Sequence, residues 1–115
     1  MIYDKRRFER VHVDFDVDLF SQTRVVLGKG KAVDISNSGM GVTHNLAFQF
    51  RAGTEIFLSF QLPNNGPVLS KIRMELRGVE KMKDGSTLLK LRFTEMKVLD
   101  IMKEFFEKQQ PEGGK

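Results

Sequence analysis

Cysteine is absent from this chain of 115 residues. Its absence excludes disulfide staples, zinc–thiolate sites and a thiol nucleophile. Tryptophan is also missing, and a single tyrosine stands against ten phenylalanines. Phe brings large buried area with no polar atom to satisfy, so most of these rings are expected in a core. Only two histidines occur, His12 and His44. His44 has no acidic neighbour in sequence, so a catalytic set built on it has no support. No apolar run approaches the roughly 18 residues a membrane-spanning helix needs. The opening MIYDKRR lacks the apolar stretch of a signal peptide. The expectation is a cytoplasmic protein without membrane insertion. With no nucleophile–base pair in view, an enzyme is the least supported class.

Hydrophobic residues make up 40% of the chain, enough for one domain with one core at this length. The formal net charge is +4, and it is unevenly spread. Lys5, Arg6, Arg7 and Arg10 crowd the N-terminal segment, opposed only by Asp4 and Glu9. A cation cluster just ahead of a strand is well placed to hold an anion; a solvated basic arm is the plainer alternative.

Residues 11–20 alternate strictly. Val11, Val13, Phe15, Val17 and Leu19 point one way, and His12, Asp14, Asp16 and Asp18 the other, the period of a half-buried antiparallel strand. Residues 23–33 read as a second strand with a bend or bulge at Gly28 and Gly30. The turn formers of DISNSGMG lead into a short third strand near 40–43. Residues 55–62 alternate again, and PNNGP marks a turn. A long strand over 68–82 meets the Asp84-Gly85 hairpin signal, and 87–93 returns as the last strand. The period then changes: Val98, Ile101, Met102, Phe105 and Phe106 fall on one face of an amphipathic helix, with Thr94 as its expected cap. These signals divide a single domain into an arm (1–10), an antiparallel barrel or sandwich (11–94), a helix (95–109) and a disordered tail (110–115).

Two short patterns carry the functional argument. Arg6-Arg7-Phe8-Glu9-Arg10 places two arginines four apart in the arm, and Asp34-Ile35-Ser36-Asn37-Ser38-Gly39 lies between two strands. Arg presents a planar fork that fits phosphate oxygens, fits guanine O6 and N7, and stacks on a purine. Asp34 only accepts, which suits the N1–H and N2–H2 donors of guanine. Ser36 can donate to a phosphate or sugar oxygen, and Gly39 would let backbone approach a ligand closely and permit positive φ. Either motif alone also fits a plainer role, the arginines as solvated arm and Asp34 and Ser36 as turn caps.

Together, in this order and about 24 residues apart, the motifs resemble the binding signature of the PilZ family. The strand context and the Leu91-Arg92-Phe93 ending before a helix agree. The resemblance covers most of the chain. It implies a six-stranded antiparallel β-barrel with a C-terminal helix, and a cyclic di-GMP site on the barrel's outer surface formed by Arg6, Arg10, Asp34, Ser36 and Gly39. It further implies a receptor that signals to an effector protein. Two positions depart from the family's habit of glycine, Ser38 within the turn and Lys90 in the last strand. Lys5 and Arg7 add cations beyond the signature, which predicts a second ligand per chain.

Two other readings differ in class. A small nucleic-acid-binding barrel would use the basic arm with Phe8 and the sheet cations Lys71, Arg73 and Arg77, but stacking aromatics beyond Phe8 are not evident. A PilZ-like module working by protein contact alone conflicts with the intact motifs. The row His12, Asp14, Asp16, Asp18 invites a metal, yet alternate strand residues stand about 7 Å apart, and a solvated face is expected.

Overall fold

The computed structural model describes residues 10–109. Lys5, Arg6, Arg7, the expectation of a flexible arm and that of a disordered tail therefore lie outside the described residues. Six strands are followed by one helix: β1 (Val11–Phe20), β2 (Val26–Ile35), β3 (Gly39–His44), β4 (Glu55–Gln61), β5 (Val68–Lys81), β6 (Thr87–Phe93) and α1 (Met96–Gln109). The strands close into a barrel in the order β1-β2-β3-β6-β5-β4, all pairs antiparallel. Because β1 pairs with both β2 and β4, no edge strand is left among the described residues to template aggregation. Among the described residues no helix is long and apolar enough to cross a membrane.

Alternation decides what faces inward. Phe15, Val17 and Leu19 of β1 are buried, as are Ile56, Leu58 and Phe60 of β4 and Ile72, Met74 and Leu76 of β5. Each such side chain contributes about 1.5–3 kcal/mol relative to exposure. Phe57 is buried although it lies out of phase, with the Arg24 guanidinium over its ring at 4.5 Å. The polar face of β1 is solvated and charge-paired. Asp14 and Asp16 meet Lys31 at 3.1 and 3.7 Å, and Asp18 meets Lys29 at 2.8 Å.

The structure corrects the sequence reading at β2 and at the helix cap: β2 runs on to Ile35, which takes Asp34 and Ile35 out of the expected turn and into the strand. The second strand begins at Val26, not Thr23. Ser21 captures the intervening residues in a turn: its carbonyl accepts the Arg24 N–H, and its hydroxyl accepts those of Thr23 and Val25. Thr94 does not cap the helix. Its hydroxyl donates to the Arg73 carbonyl of β5 at 3.0 Å, and the Glu95 carbonyl accepts the first helical N–H groups, from Val98 and Leu99. The helix buries Val98, Leu99, Met102 and Phe106 in the barrel core. Phe105 lies against Gly66 in the β4–β5 turn.

His44 ends β3 at the far end of the barrel from the Ser36–Gly39 turn. It is buried, its Nδ1 accepts the Leu46 N–H at 3.0 Å, and its ring meets Phe50 edge-on. Burial first, and the Lys81 cation second, hold its pKa below the usual histidine value. The native state thus binds the His44 proton less readily than the unfolded chain does. This contribution to stability is complete above about pH 6.5, the unfolded value, and is lost as pH falls from there through the lower folded value. The urea midpoint of the wild type is expected to drop between pH 7.5 and 5.5, and to drop less in a His44→Gln variant. Equal pH dependence in the two proteins would contradict the assignment.

Candidate functional site

The described chain carries a groove of about 590 Å³ on its outer face, crossing the ends of β2, β3, β6 and β5. That volume suits a small-molecule ligand, for which sites run from about 300 to 1,000 Å³. Arg10, Asp34, Ser36 and Gly39 all line it. The register explains the convergence. Val11 opposes Ile35, so the residue before β1 arrives beside the end of β2. There an Arg10 Nη1 stands 3.2 Å from Asp34 Oδ2, with the Arg10 side chain 63% exposed and Asp34 only 20%. The guanidinium remains open to an incoming group, while the carboxylate is held by its surroundings.

Several neighbours hold it. Asp34 is the cross-strand partner of Gly41 on β3. A Cβ at Gly41 would stand 3.1 and 3.3 Å from the two Asp34 carboxylate oxygens and 3.2 Å from Leu88 Cδ1. The carboxylate therefore lies over Gly41, in space that any added side chain would crowd. The β2–β3 turn is closed by the Ser36 N–H donating to the Gly39 carbonyl at 2.8 Å. The Ser36 hydroxyl has that same carbonyl only at 3.5 Å, the outer limit of a hydrogen bond, so it can turn to a better acceptor at little loss. The turn is also fastened to the last strand, since the Phe93 N–H donates to the Ser38 carbonyl at 3.0 Å.

Gly39 requires a different explanation from the one its motif suggests. Its φ is not positive. A Cβ there would stand 1.8 Å from the Leu91 carbonyl oxygen. The glycine is demanded by the close approach of β3 to β6. Ser38 likewise has no positive φ, so the departure from glycine at that position strains nothing.

Among the groove residues not read as ligand contacts from sequence are Gly41, Arg77, Glu80 and Arg92. Lys90 and Ser38, noted only as departures, line it too. Strand register brings Gly41, Lys90 and Arg92 there, because partners directly opposite on adjacent strands share a face, whereas Arg77 falls at the irregularity between Leu76 and Gly78. Arg92 donates from Nε to Glu75 Oε1 at 2.8 Å, and Arg77 approaches the same oxygen at 3.9 Å. Lys90 pairs with Glu80 at 3.1 Å. The other two cations of the nucleic-acid reading lie elsewhere. Lys71 sits over the Phe20 ring, and the Arg73 backbone N–H meets Glu95.

The fold is shared with solved structures of low sequence identity. MotI/DgrA, an inhibitor of motility from Bacillus subtilis, superposes with a TM-score of 0.68 at 16% identity over 93% of this chain. The chain spans about half of that protein, 52%. The PilZ domain of YcgR from Escherichia coli, solved with c-di-GMP, gives 0.66 at 15% identity, covering 92% of this chain and 94% of that one. The PilZ domain of CeSA from a cellulose-synthesising bacterium gives 0.62 at 12%, covering 89% and 99%. No curated protein sequence matches. Comparison with known families matches the PilZ domain over residues 4–106, nearly the whole of a barrel whose β2–β3 turn and pre-β1 arginine meet in one groove, and the chain belongs to the PilZ domain family.

Proposed function

We propose that this domain is a cyclic di-GMP receptor whose output is an altered surface presented to an effector protein rather than a chemical product. The observation that carries the reading is the meeting of Arg10 with Asp34, two motifs distant in sequence, across the rim of one groove. In this reading Asp34 accepts from the N1–H and N2–H2 of a guanine, which disfavours adenine at the same place. Arg6 and Arg10 fork onto phosphate oxygens or the guanine Hoogsteen edge, and Ser36 donates to a phosphate or sugar oxygen. Ligand then orders the arm against the barrel and changes the face a partner meets. Lys5 and Arg7 offset the charge of a second ligand, whose two further phosphates would otherwise repel the first pair.

Isothermal titration with cyclic di-GMP, with GTP and single-stranded DNA as controls, tests the proposal. Saturable binding of cyclic di-GMP alone is expected, at about two ligands per chain, falling toward one in Lys5→Ala. Few counterions are displaced by so small an anion, so affinity should fall only mildly with salt. A polyanion contacted at 6–10 phosphates would lose about 10³–10⁵ in affinity between 50 and 200 mM salt. Tightest binding to DNA with that steep slope would overturn the proposal.

A further inference from the structure

The outer row of the groove runs Asp34–Gly41–Lys90–Gly78, each the cross-strand partner of the next on β2, β3, β6 and β5. The adjacent row, Ile35–Met40–Leu91–Leu76, is buried in the core, which fixes the first row as outward. Charges and glycines alternate along it, and each charge lies across the glycine beyond it. Asp34 lies over Gly41. Lys90 lies toward Gly78, where an added Cβ would meet Lys90 Cδ at 3.7 Å and nothing else within 4 Å. Lys90 thus leans away from Asp34, and its Nζ rests 3.1 Å from Glu80 Oε1.

That ion pair is exposed on both sides, 57% and 54%, and such pairs hold weakly. Arg92 differs, since its Nε–H is directed at 2.8 Å onto a Glu75 already shared with Arg77. Arg77 is also loosely held, 3.9 Å from Glu75, but of the two loosely paired cations Lys90 is the one that stands in the row of Asp34. We infer that Lys90 is a movable ligand contact. It is parked on Glu80 across Gly78 in the free protein and turns back across β6 to a phosphate of the ligand held by Asp34. The ammonium has no planar fork but meets phosphate well as a point charge. Glu80 is then a competitor for the same amine, and so sets affinity from outside the Arg-x-x-x-Arg and Asp-x-Ser-x-x-Gly motifs. The inference rests on the cyclic di-GMP reading.

Titration calorimetry with cyclic di-GMP on the full chain tests it. Lys90→Ala is expected to weaken binding about tenfold, the loss of one charge-assisted contact. Glu80→Gln is expected to tighten it about two- to four-fold, the release of a surface ion pair. In the Lys90→Ala background the Glu80→Gln gain should shrink, since no amine is left to release. Both side chains are exposed, so thermal unfolding should change little. Opposite signs are the signature: a pair serving only as a brace between β5 and β6 would weaken binding from either side, and that result overturns the inference. Wild-type affinity in both variants also overturns it while leaving the receptor reading intact. Failure of the wild type to bind cyclic di-GMP would instead remove the reading on which it rests.

Discussion

Gly39→Ala is expected to destabilise the fold by about 3 kcal/mol or more, the upper end of what overpacking usually does. The added methyl would stand 1.8 Å from the Leu91 carbonyl oxygen, and a backbone oxygen cannot swing aside as a side chain can. Relief requires β3 to part from β6 at the Gly39–Arg92 rung. That movement also disturbs the hydrogen bond from the Phe93 N–H to the Ser38 carbonyl. In a domain of this size about 3 kcal/mol lowers the melting temperature by more than about 10 °C. Thermal unfolding followed by circular dichroism measures it, and an unchanged midpoint would show that the strands do not approach this closely. The expectation separates two roles of the Asp-x-Ser-x-x-Gly turn. Its glycine acts through the fold, while Asp34 and Ser36 line the groove with their side chains.

Arg10→Ala is expected to weaken cyclic di-GMP binding by about ten- to a hundred-fold, the value of one charge-assisted hydrogen bond at about 1.5–3 kcal/mol. The double variant Arg6→Ala/Arg10→Ala should weaken it further. Two effects add at Arg10: a phosphate or guanine contact is lost, and the half-buried Asp34 loses the cation 3.2 Å from its Oδ2. Arg10→Lys should recover only part of the affinity, because an ammonium restores charge but not the fork. Titration calorimetry reads each variant. Wild-type affinity in the double variant, with circular dichroism unchanged, would remove the arm from the site.

The barrel was legible because period-two patterning is a local signal. Val11 to Leu19 declare their faces residue by residue, and Val98, Met102 and Phe106 declare a helix in the same way. What escaped depends on chain that arrives from elsewhere. Nothing local to Phe57 says that Arg24 will cover it. Thr94 looks like a cap until β5 offers the Arg73 carbonyl. The site divides along the same line. Arg10, Asp34 and Ser36, which line the groove, stand out in sequence because their chemistry suits a guanine nucleotide and their order resembles a family signature. Gly41, Glu80 and Lys90 belong to the groove through strand register, which is a property of pairs of segments and is invisible in either one. Gly39 was singled out for the freedom of its backbone, whereas its neighbour across the ladder is what requires it.

The most direct test of the account is a two-dimensional amide NMR titration of the chain with cyclic di-GMP. The groove predicts saturable shifts at Arg10, Asp34, Ser36, Gly39, Gly41 and Lys90, with little change around His44, Phe48 and Phe50 at the opposite end of the barrel. Shifts confined to that opposite end, or a spectrum that does not respond to the nucleotide, would contradict it.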